Sequence, residues 1–235
     1  MPLNQITTLS LDLDDTLWPV KPTLVRAEQV LNTWLQAHAP ATASAVGPQQ
    51  MLALRAQVAA EHPHWAHDLT AIRQETLRRA LASQGEDPAL AEPAFEVFFH
   101  ARHDVQFYAD ALPALERLAA RYRLIALSNG NAELARVGLD RYFTGAVSAR
   151  AHGRAKPAAS IFLATCAAAG APPTQVLHLG DDLVMDVQGA LDAGLHAGWI
   201  HRDDHPGRRL PQRPAAPASA HEWADLAAVA DALGA

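Results

Sequence analysis

The chain has 235 residues, 49% of them hydrophobic and 19% charged, with a formal net charge of −6. It carries enough apolar material for one large core or two smaller ones. The acidic balance excludes a broad basic surface for nucleic acid and a polybasic anchor for a membrane.

No apolar run reaches the ~18 residues of a spanning helix. The opening "MPLNQITTLS" has neither a basic segment nor an apolar signal core. A single cysteine, Cys166, excludes an intrachain disulfide. These features lead to the expectation of a cytoplasmic protein.

Ile6, Leu9, Leu11 and Leu13 make a short apolar segment closed by "DDT", which predicts a strand ending near Asp12. From about residue 19 to 104 the spacing turns helical. It runs through Leu24, Ala27, Leu31, Trp34 and Leu35, then Met51, Leu54 and Val58, then Leu69, Ile72, Thr76 and Ala80, and finally Ala91, Phe95 and Phe98. An all-helical insertion of roughly 85 residues is too long for an ordinary connection, and covering an active site is one natural use of it. Arg73 reads either as a substrate contact from this insertion or as part of a solvated helix face.

"LPALERLAARY" predicts a helix with Pro113 in its first turn and Leu112, Leu115 and Leu118 on one face. Strands are predicted in "RLIALSNG" (123–130) and "FTGAVSA" (143–149). A helix then opens on Pro157, buries Cys166 and stops at Gly170. "QVLHLGDD" (175–182) and "HAGWIHR" (196–202) read as strands flanking a helix that stops at Gly194. The Pro-rich stretch over 203–221 predicts an irregular loop. "EWADLAAVADAL" predicts a docking helix with Trp223, Leu226, Ala230 and Leu233 on one face. Strands alternating with helices give an α/β core around a parallel sheet.

Ligands of such sheets sit beyond the carboxyl ends of the strands. The first predicted strand delivers Asp12, Asp14 and Thr16 there, the second Ser128, and the fourth Asp181 and Asp182. Carboxylates 4 Å apart repel by roughly 4 kcal/mol per pair at an effective dielectric of about 20. A hard divalent cation with oxygen ligands, Mg²⁺, would offset that repulsion. The basic residues are 17 Arg and only two Lys, Lys21 and Lys156. A compact ammonium at Lys156 points at a single oxygen where a guanidinium fork is too wide.

Asp12-Leu-Asp14-Asp15-Thr16 resembles the DxDxT signature of the haloacid dehalogenase-like hydrolase superfamily. Ser128, Lys156 in "GRAKP", and "GDDLVMDVQGA" resemble its other three motifs. The resemblance implies a Rossmann-like core (1–18 and 105–235) with an inserted helical cap domain (19–104). It implies a Mg²⁺-dependent phosphatase in which Asp12 is the nucleophile and Asp14 the general acid and base, because members that cleave carbon–halogen bonds lack the second acid. It also implies that Ser128 and Lys156 hold the phosphoryl group and that Asp12, the Asp14 carbonyl and Asp181 hold the metal. Asp182 and Asp186 are supporting residues, and Asp15 belongs to the local turn. Thr16, Trp18, Asn129 and Gly130 are expected beside the substrate, a small phosphomonoester, with Trp18 either stacking on a flat heterocycle or packing the hinge.

A narrower likeness, to bacterial phosphatases of riboflavin biosynthesis, implies 5-amino-6-(5-phospho-D-ribitylamino)uracil or FMN as substrate. The alternatives are a non-catalytic phospho-receiver module and a 2-haloacid dehalogenase.

Overall fold

The computed structural model describes residues 3–202 and 215–235. Most of the Pro-rich stretch therefore lies outside the described residues. The chain divides into two compact units, one holding the residues up to Val20 and from Gln106 onward, the other Lys21–Val105.

The first unit is built on a six-stranded sheet of β1 (Thr8–Leu11), β2 (Arg123–Ser128), β3 (Gly145–Ser148), β4 (Val176–Gly180), β5 (His196–Ile200) and β6 (His221–Trp223), in the order β3-β2-β1-β4-β5-β6. Every pairing is parallel. β1 and β4 are buried along their whole length, polar residues included, as expected of central strands covered on both faces. In register Leu11 sits level with Ala126 on one side and Leu179 on the other. The residues just beyond these strands therefore emerge together, at the point where the strand order reverses.

The second unit is all-helical: α1 (Val20–His38), α2 (Pro40–Ala45), α3 (Pro48–Glu61), α4 (Leu69–Ser83) and α5 (Ala91–Ala101). Its own apolar cluster joins Ala27, Leu31 and Leu35 of α1 to Met51 of α3, Leu77 and Leu81 of α4, and Phe95, Phe98 and Phe99 of α5. Each fully buried Leu or Phe contributes about 1.5–3 kcal/mol. Asp68 caps α4 by accepting the Ala71 N–H at 3.0 Å. Leu69 opens α4 at its first helical position and is exposed, outside the packed stripe. Arg73 is buried rather than solvated: it donates to Glu28 at 2.8 Å and lies 3.4 Å over the Phe98 ring. Burial lowers its pKa to about 10 although Glu28 supports the charge.

The remaining helices belong to the sheet unit: α6 (Ala111–Ala119), α7 (Leu134–Val137), α8 (Ala149–His152), α9 (Ala159–Ala169), α10 (Gly189–Asp192) and α11 (Leu226–Ala232). Cys166 is buried in α9 among Phe162, Ile161 and Val187, and that burial pushes its thiol pKa up. In α6 the inward residues are Ala111, Ala114, Leu115 and Leu118, while Leu112 is exposed. The expected last helix is split. Trp223 ends β6, and α11 starts at Leu226 behind the capping residue Asp225, which accepts the Ala228 N–H at 2.7 Å. The expected helix up to Gly194 is also divided, into a widened π-type turn at Leu183–Gln188 and α10. Among the described residues, no helix is long and apolar enough to cross a membrane.

Candidate active site

The loop after β1 is shaped by its own side chains. Asp12 donates its N–H to the Leu179 carbonyl at 2.9 Å, which carries the β4 pairing one residue past the strand. Asp15 takes a left-handed φ of 61°, a conformation Asp tolerates better than most residues, and its carboxylate accepts the Val20 N–H at 2.8 Å. Its N–H closes the turn on the Trp18 carbonyl at 2.8 Å. Trp18 is fully buried, edge-on to Phe107, and its indole N–H donates to Asp14 at 2.9 Å. Packing thus occupies the ring, and its polar edge orients Asp14.

Thr16 is also buried, with its hydroxyl 3.5 Å from Asp181 Oδ1. Its carbonyl accepts from Arg202 Nε and Nη2 at 3.1 and 2.9 Å. Arg202 in turn pairs with Asp110 at 2.7 Å and stacks 3.8 Å over the Tyr108 ring. This clamp ties the end of β5 to the loop after β1, and Arg202 and Asp110 were not anticipated from the sequence.

From the end of β2, the Ser128 hydroxyl accepts the Gly130 N–H at 2.9 Å, which directs its own proton elsewhere. The Asn129 amide grips the Lys156 backbone at both ends, accepting from its N–H at 2.7 Å and donating to its carbonyl at 3.1 Å. Asn129 thereby positions Lys156. The helix expected to open on Pro157 begins at Ala159. The Lys156 ammonium turns inward, donating to Asp12 Oδ1 at 2.5 Å, Asp186 Oδ1 at 2.6 Å and the Leu127 carbonyl at 3.3 Å.

Asp186, buried in the widened turn after β4, accepts the Asp182 N–H on its other oxygen at 3.0 Å. A Cβ on Gly180 would lie 2.2–2.6 Å from the Asp186 side chain, so only glycine lets this carboxylate approach the strand end. Asp182 is a cap: its carboxylate accepts the N–H groups of Val184 and Met185 at 2.8 and 2.9 Å.

One oxygen from each of Asp12, Asp181 and Asp186 lies within 4.8 Å of the others. Three carboxylates against one ammonium leave two formal negative charges in a buried space, and the donor atoms are all hard oxygens. That arrangement fits one divalent cation of the Mg²⁺ type. The proton equilibria agree. Burial raises the Asp12 pKa well above the usual carboxylate value; Lys156 opposes this, and Asp186 and Asp181 reinforce it. Burial acts in the same sense on Asp186, but Lys156 and His178 outweigh it and hold that group ionised. Lys156 stays charged because its two carboxylate partners overcome desolvation.

His178, also unforeseen, is buried in β4. It is 3.1 Å from Asp186 Oδ1 through Nε2 and 2.9 Å from the Ser10 hydroxyl through Nδ1. Its trace in the sequence is a pair of polar residues, Ser10 and His178, in the two central strands. Their register on adjacent strands is fixed by the fold.

A family model described as a haloacid dehalogenase-like hydrolase matches residues 6–194. The chain belongs to this family, and it is an enzyme of the hydrolase class. Among curated proteins it is 33% identical to the 5-amino-6-(5-phospho-D-ribitylamino)uracil phosphatase YigB of Escherichia coli K12, over 86% of this chain and 87% of that protein. It is 31% identical to a phosphoserine phosphatase of Thermus thermophilus, over 57% and 56% of the two chains. Among solved structures it resembles a 2-haloacid dehalogenase of Pseudomonas syringae pv. tomato DC3000, with a TM-score of 0.86 and 33% identity over 97% of this chain and 98% of that one.

Proposed function

We propose that the protein hydrolyses a small phosphomonoester, with Asp12 as nucleophile. The observation that carries this reading is the buried contact of Lys156 with Asp12 and Asp186, with Asp14 presented by the same loop as Asp12. In the first step a carboxylate oxygen of Asp12 bonds to phosphorus as the ester oxygen departs and takes a proton from Asp14. In the second, Asp14 removes a proton from water, which attacks the aspartyl-phosphate to release inorganic phosphate and restore Asp12. Lys156 and the Ser128 hydroxyl hold phosphoryl oxygens as their charge redistributes. Asp12, Asp181 and the Asp14 carbonyl would hold Mg²⁺, with Asp186 in support. When bound, that ion supplies charge neutralisation and polarisation of the phosphoryl oxygens.

We read residues 19–104 as an inserted cap domain and 1–18 with 105–235 as the hydrolase core, a division supported by the separate apolar cluster of the helical unit. Likeness to YigB over most of both chains supports a ribityl phosphate of riboflavin synthesis, or FMN, as substrate. Likeness to the Pseudomonas protein favours a second reading, 2-haloacid dehalogenation, which the presence of Asp14 opposes. A phosphate-release screen of FMN, ribityl phosphates, phosphoserine and hexose phosphates, each with Mg²⁺ and with EDTA, tests the proposal beside a halide-release assay on 2-haloacids. Release of phosphate from FMN or ribityl phosphates above hexose phosphates, lost in EDTA, is the expected result. Halide release without phosphatase activity would overturn it.

A further inference from the structure

We infer that His178 is a positioning residue whose Nε2–H fixes Asp186 and through it the Lys156 ammonium against Asp12. The inference rests on the phosphatase reading for its consequence and on geometry alone for its structural content. Five side chains form one unbroken buried chain: Ser10 Oγ to His178 Nδ1 at 2.9 Å, His178 Nε2 to Asp186 Oδ1 at 3.1 Å, and Lys156 Nζ to Asp186 Oδ1 at 2.6 Å and to Asp12 Oδ1 at 2.5 Å. All five residues are at least nine-tenths buried.

The carboxylate of Asp186 only accepts hydrogen bonds, so Nε2 must carry the proton. That Nε2–H orients the carboxylate and leaves Lys156 as its charge partner. The ring is held from the side by Phe162, edge to face at 5.1 Å. Phe162 is itself wedged where a Cβ on Gly189 would meet it at 2.7 Å. The imidazole therefore has one orientation, and Asp186 inherits it.

The test compares His178→Gln, whose amide N–H reaches about as far as Nε2, with His178→Leu, which fills similar space without a donor. It is read beside the histidine ¹⁵N spectrum of the metal-free wild-type chain at neutral pH. The spectrum should show a proton on His178 Nε2; a ring protonated on Nδ1 alone overturns the inference. His178→Leu should lower kcat by roughly 10–100-fold, and His178→Gln should regain most of that loss. Equal activity of wild type and both variants, or an equal loss in both with folding intact, overturns the positioning role. If His178→Leu does not fold, His178→Gln and the spectrum decide. An Asp12→Asn control keeps the two readings apart: turnover surviving in it defeats the nucleophile assignment while leaving the tautomer result untouched.

Discussion

Lys156 and Asp186 form an ion pair of 2.6 Å in which the side chains are only 3% and 2% exposed. Removing one partner of such a pair strands a buried charge, at a cost of about 3–5 kcal/mol. Lys156→Met should therefore lower metal-free stability by that order, measured by urea unfolding, and should abolish phosphate release. Lys156→Arg should restore little activity, because a planar fork does not fit between two carboxylates set for one ammonium. Unchanged stability in Lys156→Met would contradict the ion-pair account.

Asp12 carries a pKa raised above that of the unfolded chain, chiefly by burial. A group of this kind holds a proton in the folded state that the unfolded state releases. Metal-free stability therefore falls as pH climbs from the ordinary carboxylate value, about 4, through the folded pKa of Asp12. Asp186 has the opposite shift, so its contribution is present above its unfolded pKa and lost as pH falls through the folded one; it is shared by both proteins compared. Asp12→Asn has no proton to lose. In EDTA it should exceed wild type in stability by a margin that widens from acid toward neutral pH. Mg²⁺ should narrow that margin, and activity should vanish. Thermal unfolding across pH reads the sign.

Asp14 accepts the Trp18 indole N–H at 2.9 Å, which fixes the carboxyl group assigned to proton transfer. General acid catalysis contributes about 10²–10⁴-fold where the leaving group needs a proton. Asp14→Asn should accordingly slow alkyl phosphates by that order and aryl phosphates, whose leaving groups are better, far less. Equal losses on the two series would remove the acid role.

Asn129 holds both polar groups of the Lys156 backbone. Asn129→Ala should cost about 1–3 kcal/mol, the penalty for stranding two partly buried backbone groups. The displaced Lys156 should also lower kcat. Asn129→Asp would keep the acceptor for the Lys156 N–H but meet the Lys156 carbonyl oxygen with a second acceptor, so it should recover only part of the loss.

The acidic, hydroxyl and ammonium groups were legible because a parallel sheet sends the carboxyl ends of its strands to one edge. Once strands are placed from apolar runs, Asp12, Ser128 and Asp181 follow, and Lys156 stands out as one of two lysines. Local errors arose where a pattern was too short to carry a period. Three residues, His221–Trp223, pair with β5 and so form a strand, although their spacing also suits a helix. For Trp18 the sequence left stacking and packing both open, and the enclosed ring is seen only in the packed structure.

Residue type and order alone determined the class of fold, the helical insertion and the chemistry offered at the strand ends, since backbone periodicity and charge are properties of neighbours in the chain. Tertiary structure alone decided which side chains meet: Asp186 with Lys156 across 30 positions, Ser10 with His178 across 168, Thr16 with Arg202 across 186. Those pairings depend on strand register and on the widened turn at Leu183–Gln188. Both are set by burial and packing over the whole sheet, and no local stretch of sequence encodes them.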